Sequence, residues 1–353
     1  MKMPAATMRE VAQCARVSTS TVSLALRNSP LVAAATRELI RTLAAEIGYR
    51  VNPLVAAHMR TRRKPAGREA GPVLAIVDTQ RRRHGWRDNR TSMVRQMLAG
   101  ARAQAAVRGY ATREFWLHEP GLSHARFSAM LRARGISGML LGPSSDLDLR
   151  LDLTWDWFSV VRLGSARVEP PLHRVVIDHF EVGMRAAQNA YALGFRRPLF
   201  PIRELFSKAH DRRMEGGFHT TWSHLPRVRR AALPATDGLA TAADLERWLR
   251  QYQPDVIIDT EERHLLGLLT AGGWRVPDDA RVFSLCAAEP GGTLSGCVQD
   301  GEAMGRAGID LLVTLVERNE TGVPALPVTL STGSVWNPGR TLGAGAVQVK
   351  SER

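Results

Sequence analysis

The side chains with the clearest chemical potential near the start of the chain are hydroxyls. Ser18, Thr19, Ser20, Thr21 and Ser23 crowd one short stretch, with Leu24 and Arg27 directly after them. Small hydroxylated side chains beside one apolar group suit a nucleic-acid groove: hydroxyls bond phosphates or base edges, and Leu24 can touch a thymine methyl. Groups for covalent chemistry are poorly arranged by contrast. No Gly-x-Ser-x-Gly elbow, His-Glu-x-x-His pair or Walker loop occurs, and the ten histidines are scattered. Asp146, Asp148 and Asp152 are close in sequence but read as a solvated loop or helix start, not as an acid/base pair. Cys286 and Cys297 lack the second pair that a structural zinc needs. The chain is therefore expected not to be an enzyme, with no metal and no cofactor.

Three short helices must position the hydroxyl stretch. Thr7-Met8-Arg9-Glu10 fits a capping box, and Val11, Ala12 and Ala15 form the buried stripe of helix one. Ser18 is a good N-cap for a second helix that buries Val22, Ala25 and Leu26 and turns Thr19, Ser20, Ser23, Leu24 and Arg27 outward. A third carries Leu39, Ile40, Leu43 and Ile47 on one face and ends at Gly48, a left-handed cap. Two helices separated by a turn of about four residues, with a third beneath, is the helix-turn-helix plan. A plain three-helix protein-binding bundle has the same periodicity and remains the alternative.

Charge favours the groove. The 353 residues hold 48 Lys plus Arg against 34 Asp plus Glu, a formal net charge of +14, and residues 1–68 alone carry +9 of it. A concentrated positive segment is the footprint of a polyanion partner. The remaining +5 needs no partner, because 44 of the 48 basic residues are Arg throughout the chain. The length suggests two or three domains, and 44% hydrophobic residues exclude wholesale disorder. No apolar run approaches the roughly 18 residues of a membrane helix, and the opening residues do not read as a signal peptide. Three cysteines, Cys14, Cys286 and Cys297, fit a reducing cytoplasm. A secreted protein, a disulfide scaffold and a membrane protein are all disfavoured, and a cytoplasmic location is expected.

Beyond a basic, Pro/Gly-punctuated linker (Arg60 to Arg68), short apolar runs alternate with helical patterns. Strands are predicted at Val73–Val77, Met139–Leu141, Phe158–Leu163, Val175–Ile177, Leu199–Ile202, Val256–Ile258 and Val282–Leu285. Helices are predicted near 92–108, 123–134, 181–193, 242–252, 262–271 and 302–318. That alternation implies parallel sheets covered by helices, and about 270 residues suggests two similar lobes.

The N-terminal motifs also carry a family resemblance. Thr7-Met8-Arg9-Glu10-Val11-Ala12, then Val17 to Ser23, then Thr36-Arg37-Glu38, then Gly48-Tyr49-Arg50-Val51-Asn52-Pro53-Leu54 closely resemble the LacI/GalR family of bacterial transcription repressors. The resemblance implies that helix two enters the major groove, with Thr19, Ser20 and Leu24 at base-reading positions. It places Thr7, Ser18, Thr21, Ser23, Asn28 and Tyr49 near phosphates, with Asn52 also in the DNA-binding set. Pro53–Met59 would be the hinge helix, ordered on operator DNA in the minor groove of a bent duplex. His58 stands where the minor-groove wedge is normally leucine, so His58 inserts, Met59 replaces it, or the bend is smaller. Arg16 stands at the usual turn glycine and must adopt an unusual backbone conformation, or the turn differs. Ala33 replaces the usual Ser/Thr cap of helix three, at a cost of about 1 kcal/mol.

A looser similarity runs to about residue 342. It includes Val175 to Asp178, Leu193 to Arg197, Pro254 to Ile258, Val276 to Asp279, Val298-Gln299-Asp300 and Trp336 to Thr341. It implies a periplasmic-binding-protein-like body of two lobes, with a ligand cleft at the carboxyl ends of parallel strands. Arg213 falls at the effector-contacting arginine, whose planar donors clamp a carboxylate or adjacent sugar hydroxyls. Gln299 matches a polar position facing the cleft. Trp86 and Trp116 offer sugar-stacking faces, with core packing as the alternative. Glu261-Glu262 replaces Asn-Asp, Cys286 an Asp that grips a hydroxyl, and Gly164 another Asp, which argues against transferring a known sugar.

The resulting expectation is an α/β protein. Residues 5–60 form an all-α helix-turn-helix headpiece with a hinge helix, and 61–72 a basic linker. Residues 73–342 form a two-lobed, doubly wound parallel-sheet core that binds effector and dimerises, and 343–353 a flexible tail. The expected function is a repressor that binds a pseudo-palindromic operator in double-stranded DNA as a homodimer. It would respond to a small-molecule effector, a carbohydrate or related metabolite. The tail has no apolar heptads, so a tetramerising coil is not expected. The alternatives are a cytoplasmic small-molecule-binding module that does not bind DNA and an enzyme on the same α/β body.

Overall fold

A computed structural model describes residues 7–26, 29, 31–47, 49, 72–144, 146, 148–202, 204–228, 241–260, 264–287 and 290–343. At the N-terminus, helices α1 (Met8–Cys14), α2 (Thr19–Leu26) and α3 (Ala34–Glu46) close over a small core. Val11, Ala12, Val22, Ala25, Val32, Ile40 and Ala44 fill it. In α3 the buried stripe is centred on Ile40 and Ala44, and Leu39 is 53% exposed, contrary to the expected face. One residue before Ile40 lies about 100° round the helix, which carries Leu39 off the core side.

The chain then alternates strand and helix. The first run is β1 (Val73–Asp78), α4 (Ser92–Val107), β2 (Ala111–Trp116), α5 (His124–Ala133) and β3 (Gly138–Leu141). It continues through β4 (Asp148–Arg150), β5 (Ser159–Leu163), β6 (Arg167–Glu169) and β7 (His173–Ile177). The second run is α6 (His179–Ala192), β8 (Pro198–Leu199), α7 (Glu204–Ala209), α8 (Arg213–Ser223) and α9 (Ala242–Tyr252). After it come β9 (Val256–Asp259), α10 (His264–Ala271), β10 (Val282–Ala287) and β11 (Gly296–Gln299). Helix α11 (Gly301–Arg318) and β12 (Thr329–Thr332) return to the first lobe, and β13 (Ser334–Asn337) to the second.

Lobe one is a parallel sheet of order β12-β7-β5-β3-β1-β2, and lobe two a sheet of order β13-β11-β10-β9-β8 with only β13 antiparallel. Central strands such as β3, β5 and β9 are buried at every residue, as expected of a parallel sheet with layers on both faces. The chain passes between lobes after Ile177, after Gln299 and after Thr332, each time from the carboxyl end of a strand. Those ends therefore border the crossovers in both lobes.

Glycine sets the closest helix pairings. A Cβ on Gly305 of α11 would lie 2.1 Å from the Met97 carbonyl oxygen of α4, and one on Gly100 would lie 2.2 Å from that of Glu302. The same device joins α6 and α8, where Gly183 faces the Met214 carbonyl and Gly217 that of Phe180, each at 2.0 Å. Only the missing side chain allows backbones so near. Among the described residues no helix is long and apolar enough to cross a membrane.

Candidate functional site

The N-terminal surface is built from caps upward. Glu10 N donates to the Thr7 hydroxyl at 3.3 Å, and the Glu10 carboxylate accepts from the Thr7 hydroxyl at 2.9 Å and from its backbone amide. The backbone donor, then the hydroxyl, holds the Glu10 carboxyl below the ordinary carboxylate range. Helix α1 ends on a Schellman turn: Val17 N reaches Ala12 O at 3.0 Å and Arg16 N reaches Gln13 O at 3.2 Å. Arg16 occupies the left-handed position of that turn, φ +53°, so the turn keeps its geometry with an arginine in the glycine's place.

Ser18 caps α2, its hydroxyl accepting from Thr21 N at 3.1 Å. That hydroxyl also lies 2.6 Å from Ser20 Oγ and 2.8 Å from Thr21 Oγ1, which ties the first turn of α2 into one hydroxyl cluster. Thr7, Ser18, Thr19 and Ser20 are exposed; Thr21, Ser23 and Leu24 are half-buried. Leu24 packs partly against the headpiece core, so only part of its side chain faces outward. Tyr49 packs beside the same core with its amide on Ala44 O at 2.8 Å, and burial pushes its phenol pKa up. Ala33 precedes α3 without a side-chain cap bond. Asn28, Gly48, Asn52, His58, Met59 and Glu262 lie outside the described residues.

In the body, the carboxyl ends of the strands collect polar groups. Gln299, at the end of β11, is 1% exposed and donates to Leu285 O at 2.7 Å and to Cys286 Sγ at 3.5 Å. Cys286 in turn donates to Thr260 O at 3.1 Å, so β9, β10 and β11 are laced together where they end. Arg213 begins α8 and points at Asp178 of the first crossover, Nη2 to Oδ1 3.4 Å. Asp178 also caps α6 through Glu181 N at 3.2 Å. The turn before Arg213 is strained, with Asp211 at φ +51° and Arg212 at φ +55°. It is anchored by Arg212 on Glu204 and on Glu215 at 3.2 Å. Arg167 of lobe one reaches Asp211 of lobe two at 3.4 Å.

Trp86 is 1% exposed in the first-lobe core. Its indole nitrogen donates to Val94 O at 2.8 Å and its ring lies against Gly142, so it presents no open stacking face in this conformation. Trp116 is half-buried, with its indole nitrogen on Gln80 O at 2.9 Å. The three spaced carboxylates do not converge: Asp146 pairs with Arg81 at 2.9 Å, Asp148 lies on β4, and the Asp152 amide donates to His124 Nδ1 at 3.1 Å. No group of metal-ligating side chains occurs among the described residues.

Among the described residues, two buried titratable side chains with an unpartnered atom escaped sequence reasoning. Arg162, in the last turn of the pleat of β5, is 5% exposed; its Nη1 donates to Gly164 O at 2.6 Å and its Nε has no partner. Its only sequence signal is a charge inside an otherwise apolar buried strand. His179, the first residue of α6, is 5% exposed, packs edge-on against His210 at 4.2 Å and has an unpartnered Nδ1.

Comparison with known proteins follows these two regions. Residues 7–52 match the family described as bacterial regulatory proteins, lacI family, and residues 187–336 match the periplasmic binding protein-like domain. The HTH-type transcriptional repressor CytR of Escherichia coli strain K12 is 28% identical over 194 residues, 55% of this chain and 52% of CytR. The chain thus spans about half the length of the curated relatives it matches. Among solved structures, a transcriptional regulator CelR–cellobiose complex superposes with a TM-score of 0.52 at 20% identity, over 94% of this chain and 98% of that one. A lac repressor dimer bound to operator and the anti-inducer ONPF gives 0.52 at 18% identity, over 97% and 100%. These structures share the fold. The chain thus carries a lacI-family helix-turn-helix match over residues 7–52 and a periplasmic-binding-protein-like match over residues 187–336, an arrangement similar to that of LacI-family regulators.

Proposed function

We propose that the chain is a DNA-binding transcriptional regulator, a repressor, that binds a pseudo-palindromic operator as a homodimer and answers to a small molecule in the cleft of its body. The observation that carries this reading is the exposed hydroxyl turn of α2, Ser18 to Ser20, within a segment of charge +9. Thr19, Ser20 and the outer part of Leu24 read base edges; Thr7, Ser18, Thr21, Ser23, Asn28 and Tyr49 hold phosphates; Asn52 and either His58 or Met59 serve the hinge. The dimer presents two headpieces to successive half-sites, matching protein symmetry to DNA symmetry. The lac repressor dimer on its operator supports that arrangement by its shared fold.

The effector is a carbohydrate or related metabolite held near Arg213, Gln299 and Cys286, with Glu262 also in the effector-binding set and Trp86 supporting the first-lobe wall. Similarity to the CelR–cellobiose complex and to a relative with bound ribose supports this class. Coupling requires only that the effector prefer one lobe arrangement, because the lobes and the headpiece share one chain. Such a regulator works in the cytoplasm with the DNA. Residues 5–60 act as headpiece and hinge, 61–72 as linker and 73–342 as effector and dimerisation body.

Titration of the full chain with operator duplex at rising salt tests the reading. Binding falls steeply, with log K linear in log salt, as cations on the headpiece displace counterions. A flat salt response contradicts duplex binding. Arg213→Ala weakens the effector response and leaves effector-free operator binding nearly intact; equal loss of both contradicts the role given to Arg213.

A further inference from the structure

Among the described residues, the arginines that pair at the turn 210–213 each have a carboxylate, and one buried arginine beside it has none. Arg212 has Glu204 and Glu215, Arg213 has Asp178, and Arg167 has Asp211. Arg162 is the exception: buried, bonded only to the Gly164 carbonyl, and with Nε unsatisfied among the described residues. It sits near the carboxyl end of β5, a central strand of the first-lobe sheet, and within the field of Asp211 on the other lobe. Gly164 turns its carbonyl toward Arg162 in a left-handed conformation, φ +94°, that a larger residue would adopt only under strain. The backbone is thus shaped around the guanidinium.

An unpaired buried guanidinium is costly. Burial pushes the Arg162 pKa down to about 10, the charge of Arg174 adds to the effect, and Asp211 offsets only part of it. At neutral pH it is still a cation, with a free donor and no counter-charge of its own. Packed against the same turn from the start of α6, His179 Nδ1 is a second unpartnered buried polar atom, beside His210 and in the field of Arg213. Two unsatisfied buried atoms near one turn lack the polar partners that buried groups ordinarily have.

We infer that the effector carries an anionic oxygen group, a carboxylate or a phosphate, and that Arg162 from lobe one and Arg213 from lobe two hold it across the cleft. This rests on the effector-binding reading above and narrows it from sugars in general to sugar acids or sugar phosphates. An incoming oxyanion accepts from the free Nε and competes with Asp211 and Asp178 for the two guanidinium groups. Arginine suits the task because its planar fork matches carboxylate and phosphate oxygens. Binding then draws the lobes together, because the two arginines come from different sheets.

The test is thermal unfolding of the full chain, and its release from operator DNA, with three sets of probes: glucose and ribose; gluconate and glucuronate; glucose 6-phosphate and ribose 5-phosphate. Inorganic phosphate serves as the charge-only control. An anionic sugar is expected to raise Tm where the neutral sugars do not, and the set that does so separates carboxylate from phosphate. Arg162→Met is expected to keep or raise the ligand-free Tm, since it removes an unpaired charge, and to weaken the anionic probe roughly tenfold to a hundredfold. Arg162→Lys, which keeps the charge without the fork, retains the preference for anions at reduced affinity and serves if the Met variant does not fold.

Binding of neutral probes alone, or of none, overturns the inference, as does an Arg162→Met protein that binds anions like the parent. If neutral sugars bind and shift operator affinity, the effector-responsive regulator stands and only the anionic effector falls. If an anionic sugar binds without moving operator affinity, the site stands and the effector role falls.

Discussion

Arg16 shows how one side chain can depart from a pattern without undoing it. The Schellman turn between α1 and α2 needs a left-handed residue, and Arg16 supplies it at φ +53° with both turn bonds formed. Relative to glycine, an L-residue there carries a steric penalty of about 1 kcal/mol. Arg16→Gly is therefore expected to stabilise the headpiece by up to about 1 kcal/mol, seen as slower amide exchange in α1 and α2. No gain, or a loss, would mean that the arginine side chain makes good the strain. The sequence already exposed this position, because the glycine's absence was visible in the motif. Arg162 and His179 were not legible as a pair: they lie on different elements, and only the fold brings both to the turn at 210–213. The exposed hydroxyls of α2 were legible because cap and helix period are local.

His179 sets a pH dependence at the same scale. Burial first, then His210 and Arg213, holds its pKa well below the ordinary 6.5. The folded state keeps it neutral while the unfolded chain takes up a proton below about pH 6.5, so stability falls as pH falls through that window and levels off below the folded value. The slope for one such proton is at most about 1.4 kcal/mol per pH unit. Denaturant unfolding between pH 7.5 and 5 is expected to show this loss, and His179→Gln to reduce its slope. Burial also lowers His173, so part of the slope persists in the variant. An unchanged slope in His179→Gln would contradict the assignment.

At the scale of elements, the interior of the body depends on glycines that local propensity counts against. Alanine normally improves a helix over glycine by about 1 kcal/mol. In α10, Gly267 is exposed and has nothing within 4 Å of a built Cβ, so Gly267→Ala is expected to raise stability by about that amount. In α11, Gly305→Ala drives a methyl into the Met97 carbonyl and is expected to cost about 1–3 kcal/mol. The opposite signs on one chemical change are read in paired thermal melts; two changes of the same sign would contradict the close α4–α11 pairing. The same feature explains what sequence reading missed. Helix α8 contains Gly216-Gly217, so its propensity is weak, and packing on α6 makes it a helix. Strands β2 and β12 are sheet edges with exposed residues, so neither shows the apolar run that marked β3, β5 and β9.

At the scale of the molecule, the strand–helix alternation was enough to anticipate two parallel-sheet lobes. It was not enough to show that α11, β12 and β13 pass back and forth between them, since crossovers leave no periodicity in sequence. Three crossovers leave from strand carboxyl ends, at Ile177, Gln299 and Thr332, so any closure of the lobes bends the chain where the polar groups lie. Charge and motif spacing belong to this scale as well. The +14 of the whole chain means little until +9 of it falls on residues 1–68, the segment that holds α1 to α3, the hydroxyl turn of α2 and the basic linker.

The most direct measurement is recovery of genomic DNA by the intact protein and by the chain lacking residues 1–60, with both bodies checked for the same folded melting transition. The account predicts that the intact protein recovers a small set of pseudo-palindromic sites and that the shortened chain recovers none of them. Recovery of the same sites by the shortened chain, or of no discrete sites by the intact protein, would contradict it.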